Sequence, residues 1–361
     1  MRFSRPQHRR AASAAPVSPR HRLISRGLLA SGAALALLAP ALQPGLAQAR
    51  EVRVYSGRHY SSDNAIYKQF EKATGIKVRL LESNDAAIVE RLQREGKNSS
   101  ADVLILVDAA RLDQATKAGL FQPVRSASLL RDVPLSLRDP KGRWFGLTRR
   151  VRALAINPKL VKPGLVNTYA DLARPELKGK LCLRNRANVY NQSLVADQMV
   201  LRGDSAASGW VKGMVANLGQ PVFTSDVSLA RAVAQGKCGV GVVNSYYVAR
   251  MLAGQSGAAD KSLASRIQIR YPNPAHVNVS GAGVTRHASN RAEAVALIEY
   301  LTSPTAAEGF AQGSLEYPLK GFGNNPILRR FGEFRADGVS AAQLGDKNKA
   351  AVALMAANGW K

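Results

Sequence analysis

The chain has 361 residues, with 51 Lys and Arg against 25 Asp and Glu, a formal net charge of +26 and only two cysteines. Its length exceeds what a single core usually serves and predicts two lobes. The basic excess would suit a nucleic-acid partner, but the Lys and Arg residues are scattered, without an aromatic-interleaved stripe or a recognised binding motif; this excludes a nucleic-acid binder and leaves an anionic ligand, an acidic transporter surface or a negatively charged membrane face.

Residues 1–49 hold seven arginines and no acid, followed by an apolar run from Leu28 to about Ala41 and the triplet Ala47-Gln48-Ala49. Basic stretch, apolar stretch and A-x-A site make a secretory signal, with cleavage expected after Ala49. A membrane anchor would need ~20 uninterrupted apolar residues, whereas Pro40, Gln43, Pro44 and Gly45 break this run; no transmembrane segment is expected once the signal is removed. Arg9-Arg10 is followed by Ala-Ala-Ser, a weak twin-arginine signal. Signal removal leaves about +19 by the same count. Neither Cys182 nor Cys238 ends the signal, which excludes lipid attachment there. In an oxidising compartment the pair suggests one disulfide, worth ~4 kcal/mol by chain entropy; two buried thiols are the alternative.

The mature chain opens with Glu51–Ser56, whose alternation predicts a strand, and Gly57-Arg58-His59-Tyr60 follows as a turn. Asp63 precedes a helical pattern at Ile66, Tyr67 and Phe70 that stops at Gly75. Residues 76–81 read as a strand, 86–96 as a helix, and 103–107 as a continuously apolar strand that suits parallel neighbours and cover on both faces. A second series begins after Trp144-Phe-Gly-Leu-Thr148: strands at 151–156, 180–183 and 239–243, a helical turn at 169–172, and helices at 193–202, 207–218, 227–235 and from about Tyr246. The chain returns through 277–284 to an amphipathic helix at 292–301. Alternating strands and helices predict an α/β fold of βαβ units. Extended crossings near 148–153 and 277–283 would leave a cleft between two such units.

Cys182 lies eight residues before Tyr190, and Cys238 eight before Tyr246. A Cys182–Cys238 bond would hold two strands side by side and bring both tyrosines out at similar depth, at the carboxyl ends of strands where α/β folds bind ligands. Tyr60 likewise follows the first strand. Tyr55, Tyr67 and Tyr300 sit on apolar-periodic faces and read as core. Tyr246 and Tyr247 project about 100° apart at a helix start, so one can be core while the other faces the cleft. His59 alone reads as a turn histidine.

The segments Ser-Gly-Arg-His59-Tyr60, Asn-Val-Tyr190-Asn-Gln-Ser-Leu and Asn-Ser-Tyr246-Tyr247 together resemble the periplasmic ferric-iron-binding proteins of ABC transporters, over nearly the whole mature chain, including Ala101-Asp102, Glu316-Tyr-Pro318 and the closing Asn-Gly-Trp360. The resemblance implies a two-lobed periplasmic-binding-protein fold (type II, transferrin-like) with a hinge and interlobe cleft. It also implies a periplasmic monomer, no catalysis and delivery to an ABC permease in the inner membrane. Its lobes would be 50–148 with a return segment at 281–317, and 149–280, with C-terminal helices at 318–361 packing on both. Its ligands map onto Tyr60, Tyr190, Tyr246 and Tyr247, with His59 as a fifth. Some relatives complete the site with a carboxylate or a bound anion, so a synergistic anion is a second expected component.

The chemistry agrees. Ionising a phenol of pKa ≈ 10 at pH 7 costs ~4 kcal/mol, which a hard trivalent cation offsets and a weaker one does not. Mg²⁺ and Ca²⁺ favour carboxylates and carbonyls, and Zn²⁺ favours Cys and His. Fe(III) is therefore the expected cargo, with Fe(II) as a second candidate. Arg58, Arg184, Arg186 and Arg250 are candidates for balancing phenolate charge or holding a small anion; a solvated surface charge is the alternative for each. Two rival functions are weighed: a receptor for a small inorganic or organic anion, using helix N-termini, and an exported hydrolase. The latter finds no G-x-S-x-G, no H-E-x-x-H and only His59, His276 and His287 beyond the signal.

Overall fold

A computed structural model describes residues 50–58 and 60–361. The expected signal with its cleavage site, and His59, lie outside the described residues. Among the described residues no helix is long and apolar enough to cross a membrane.

Eight strands, β1 (Glu51–Ser56), β2 (Lys77–Glu82), β3 (Val103–Val107), β4 (Phe145–Ile156), β5 (Leu181–Cys182), β6 (Val240–Asn244), β7 (Gln268–Arg270) and β8 (Val277–Val284), carry the fold. They join in the order β2-β1-β3-β8-β4-β6-β5, with β7 also on β4. The first βαβ unit matches its sequence pattern. Ile66, Tyr67 and Phe70 are the buried face of helix Asp63–Thr74, which ends where Gly75 turns left-handed at φ 72°. β3 is wholly buried, as its apolar run predicts.

Its neighbours are a correction. β3 runs parallel to β1 but antiparallel to β8, because an unbroken apolar run reports cover on both faces and carries no information about strand direction. The first expected crossing is one 12-residue strand, β4, that already begins at Phe145 and shifts register between Gly146 and Thr148. The second crossing is β8, paired to β4 from Phe145↔Ala282 to Val151↔Val277. The helix expected from residue 193 starts at Val189, since the Asn188 side chain caps it by accepting from the Tyr190 backbone N–H. Helix Ala258–Ala264 and β7 went unread; both are too short to show a period.

Two lobes follow from where apolar side chains gather. One core draws on residues between Val52 and Leu147 and again between Val279 and Leu344. Two adjoining clusters draw on residues between Leu154 and Ile267, joined by Ala351, Met355 and Trp360. Val151 and Val277, paired across the two crossing strands, belong with Tyr246 and Tyr317 to a fourth cluster. Tyr55 and Tyr67 are core, and Tyr300 packs against it.

Cys182 and Cys238 form a disulfide with Cα atoms 5.9 Å apart, next to the parallel pairing of β5 with β6 through Leu181↔Val240 and Cys182↔Gly241. Exported protein should therefore show no free thiol when denatured without reductant. Replacing Cys238 by Ala should cost about 2–4 kcal/mol in a urea melt, and two titratable thiols in the secreted wild type would contradict the pairing.

Candidate metal centre

Each of the four tyrosines lies on the segment that follows a strand. Tyr60 follows β1. Tyr190 lies in the first turn of helix Val189–Arg202, and Tyr246 and Tyr247 lie in the first turn of Ser245–Leu252, directly after β6. Pairing of β5 with β6 carries the last three to one end of the sheet, and the fold brings Tyr60 to meet them. The Tyr60 and Tyr246 ring centroids are 6.3 Å apart, and those of Tyr246 and Tyr247 are 4.3 Å apart. Tyr60, Tyr190 and Tyr247 line a cleft of about 280 Å³ with Gly57, Arg58, Asp85, Val107 and Arg250. Tyr246 is 1% exposed and closes the cluster from behind. The division expected of the adjacent pair, one core and one facing the cleft, is what the fold adopts, yet both rings belong to the same group. Hollows of about 290 and 480 Å³ elsewhere are lined by no tyrosine and no carboxylate, so chemistry rather than volume singles out the tyrosine cleft.

Four guanidinium groups attend these rings. Arg58 lies 4.9 Å and Arg250 5.2 Å from the Tyr60 ring centroid, while Arg150 lies 4.9 Å and Arg184 5.7 Å from that of Tyr190. Arg58 is no surface charge: it is buried between Asp63 (2.9 Å) and Glu316 (2.5 Å). Glu316 also accepts from the Tyr60 hydroxyl at 3.3 Å and bonds Thr148. Burial alone would push the Glu316 carboxyl up, but Arg58 and Arg150 override it and hold it below the usual range. Arg184 donates to the Thr224 carbonyl at 2.9 Å and reaches Asp226 at 3.4 Å. Arg250 donates to Gln255, and Arg186 is exposed, the one candidate cation that is a plain surface charge.

Beneath the tyrosines lies a buried hub that sequence reading missed. Arg152 of β4 donates to Asp226 (2.9 Å), Asn191 (2.7 Å) and the Val242 carbonyl (3.0 Å). Asp226 also accepts from the Asn244 backbone at 2.9 Å. The residue after Tyr190 and the strand end before Tyr246 are thus tied to one guanidinium. Asp85, Arg150 and Glu316 were missed as well. A signal existed in β4, where Arg149, Arg150 and Arg152 interrupt an otherwise apolar strand, a pattern that marks buried and therefore partnered charge.

Three of the phenols are held neutral by their surroundings. Burial pushes Tyr60, Tyr190 and Tyr246 up from the ordinary phenol value. Glu316 adds to the rise at Tyr60, where Arg58 opposes it, and neighbouring tyrosines add to it at the other two.

Residues 56–308 match the family of bacterial extracellular solute-binding proteins. Iron uptake protein A1 of Synechocystis is 42% identical over 317 residues, covering 86% of this chain and 88% of that protein. The major ferric iron-binding protein of Neisseria meningitidis serogroup B is 28% identical, covering 87% and 95%. Among solved structures, Trichodesmium FutA in complex with iron and citrate ligands superposes with a TM-score of 0.83 at 40% identity, covering 86% of this chain and all of that one. Fold, coverage and identity agree: the chain belongs to the bacterial extracellular solute-binding protein family, with the two-lobed fold that its ferric-binding members share.

Proposed function

We propose that this chain is a periplasmic receptor that captures Fe(III) with the phenolates of Tyr60, Tyr190, Tyr246 and Tyr247, assisted by His59, and delivers it to an ABC permease. Convergence of four phenols, three lining one cleft and Tyr246 directly behind them, carries the reading, because only a strongly polarising cation offsets the deprotonation of several buried phenols. Arg150 supports it. Its Nε and Nη1 are buried and complete no hydrogen bond among the described residues, and the group lies against Tyr190, where a phenolate would satisfy it. Asp85 offers a carboxylate at the same cleft, and Arg58 and Arg250 offer charge for a small anion beside the metal. Adding ferric citrate to the apoprotein should produce a visible phenolate-to-iron charge-transfer band; a colourless mixture with no iron retained on desalting would refute the assignment.

Two further results are expected. Iron taken up at pH 7 from a chelate of known protonation should release at least one proton for each of Tyr60, Tyr190 and Tyr246, measured on a pH-stat, and affinity should fall as pH falls. Uptake without proton release would show that the phenols are bystanders. The halves 50–148 with 281–317, and 149–280, should close on the ion, since Tyr60 belongs to one and the remaining tyrosines to the other. Equal radii of gyration with and without Fe(III) in solution scattering would argue against that closure.

A further inference from the structure

A second group of metal-ligating side chains shares no residue with the tyrosine cleft. Asp197 lies on the helix that carries Tyr190, His276 immediately precedes β8, and Asp337 lies on the C-terminal stretch, where its backbone N–H donates to the Ala275 carbonyl at 3.1 Å. One ligand atom from each of the three falls within 4.8 Å of the others. Asp197 is 0% and His276 1% exposed, while Asp337 is partly exposed.

The hydrogen bonding is divided in an instructive way. One oxygen of each carboxylate is held from outside: Asp197 Oδ2 accepts from Gln198 Nε2 and Asp337 Oδ1 from the Val339 backbone N–H, each at 2.9 Å. The inward atoms, Asp197 Oδ1, Asp337 Oδ2 and both ring nitrogens of His276, complete no hydrogen bond among the described residues. Buried polar atoms normally find partners, and here His276 Nδ1 and Asp197 Oδ1 lie 3.3 Å apart, an ion pair when the imidazole is protonated. Two ligands on one tetrahedral cation, with metal–nitrogen and metal–oxygen bonds of about 2.1 Å, are separated by about 3.4 Å. That pair already has the spacing of a ligand edge. The widest separation the trio allows would have to close by about 1.4 Å to reach it, a movement open to Asp337 on its exposed stretch. Carboxylates held from behind are the usual outer support of a metal site.

We propose that Asp197, His276 and Asp337 form a second cation site that takes a divalent first-row ion of the Zn²⁺ kind, bracing the Tyr190 helix against the start of β8 and the C-terminal stretch. One imidazole and two carboxylates suit such an ion, and two negative charges match its charge. The site stands independently of the iron reading.

The test uses the full mature protein carrying Tyr246→Phe and Tyr247→Phe, so that the tyrosine cleft does not compete. Dialysed against Zn²⁺ and then against metal-free buffer, it should keep one equivalent by elemental analysis, and its unfolding temperature should rise with Zn²⁺ and fall back with EDTA. Adding Asp337→Asn should weaken retention by about tenfold or more and abolish the thermal shift. Asp337→Asn in the otherwise wild-type chain should leave the ferric colour unchanged. His276→Gln, checked for folding by circular dichroism, should lose the ion as well. Failure to retain Zn²⁺, or equal retention by the folded Asp337→Asn and His276→Gln proteins, overturns the site and leaves a proton-sharing triad in its place.

Discussion

Replacing Tyr190, Tyr246 or Tyr247 singly by Phe is expected to weaken Fe(III) binding by at least about tenfold, or ~1.4 kcal/mol, and to dim the charge-transfer band. The substitution deletes one oxygen and keeps the ring, so packing is nearly undisturbed and the loss reports the missing donor. Tyr246 is the discriminating position. Its ring is as buried as any core residue, and among the described residues its hydroxyl completes no hydrogen bond, so a purely structural tyrosine would gain stability, if anything, on losing that oxygen. A ligand would lose iron. Combining Tyr246→Phe with Tyr247→Phe should cost about a hundredfold if the two act separately. Citrate competition measures the affinity and absorbance measures the bond; wild-type values for all three single variants would move the site elsewhere.

Asp226→Ala should destabilise the apoprotein by about 3–5 kcal/mol, because it leaves the buried Arg152 charge without its counter-charge. Both side chains are essentially unexposed in their 2.9 Å ion pair, and the lost carboxylate also releases the Asn244 backbone N–H. Replacing both partners together, with Arg152→Met and Asp226→Leu, should recover part of the loss, since the fully buried guanidinium is then gone and only the partly exposed Arg184 loses its carboxylate. Urea unfolding of the two variants beside wild type distinguishes the outcomes; an Asp226→Ala protein within about 0.5 kcal/mol of wild type would mean that water reaches Arg152.

Local signals were legible in the sequence and remote ones were not. The strand β1, the Gly75 stop and the equal Cys-to-Tyr spacings are local, and they place Tyr60, Tyr190 and Tyr246 at strand ends before any pairing is known. Pairing of β3 with β8 leaves no local mark, so β3 suggested parallel neighbours on both sides. Arg58 was open to reading as surface charge because its partner Glu316 is far away in sequence. The start of the Tyr190 helix was legible in principle: Asn188 is a good cap, but the apolar period begins only after it.

The pairing of β4 with β8 has a consequence for how the chain reaches its native state. Asp108, just after β3, bonds Asn278 of β8 across 170 residues, so the first core's sheet stays incomplete until nearly the whole chain is available. The Arg152 N–H donates to the His276 carbonyl at 3.2 Å, which means that the intervening segment begins and ends at one spot. Once that insert has folded, the strands flanking it are already neighbours, and a closure of some 170 residues shrinks to one of about 46, easing the entropic delay that long-range pairing imposes.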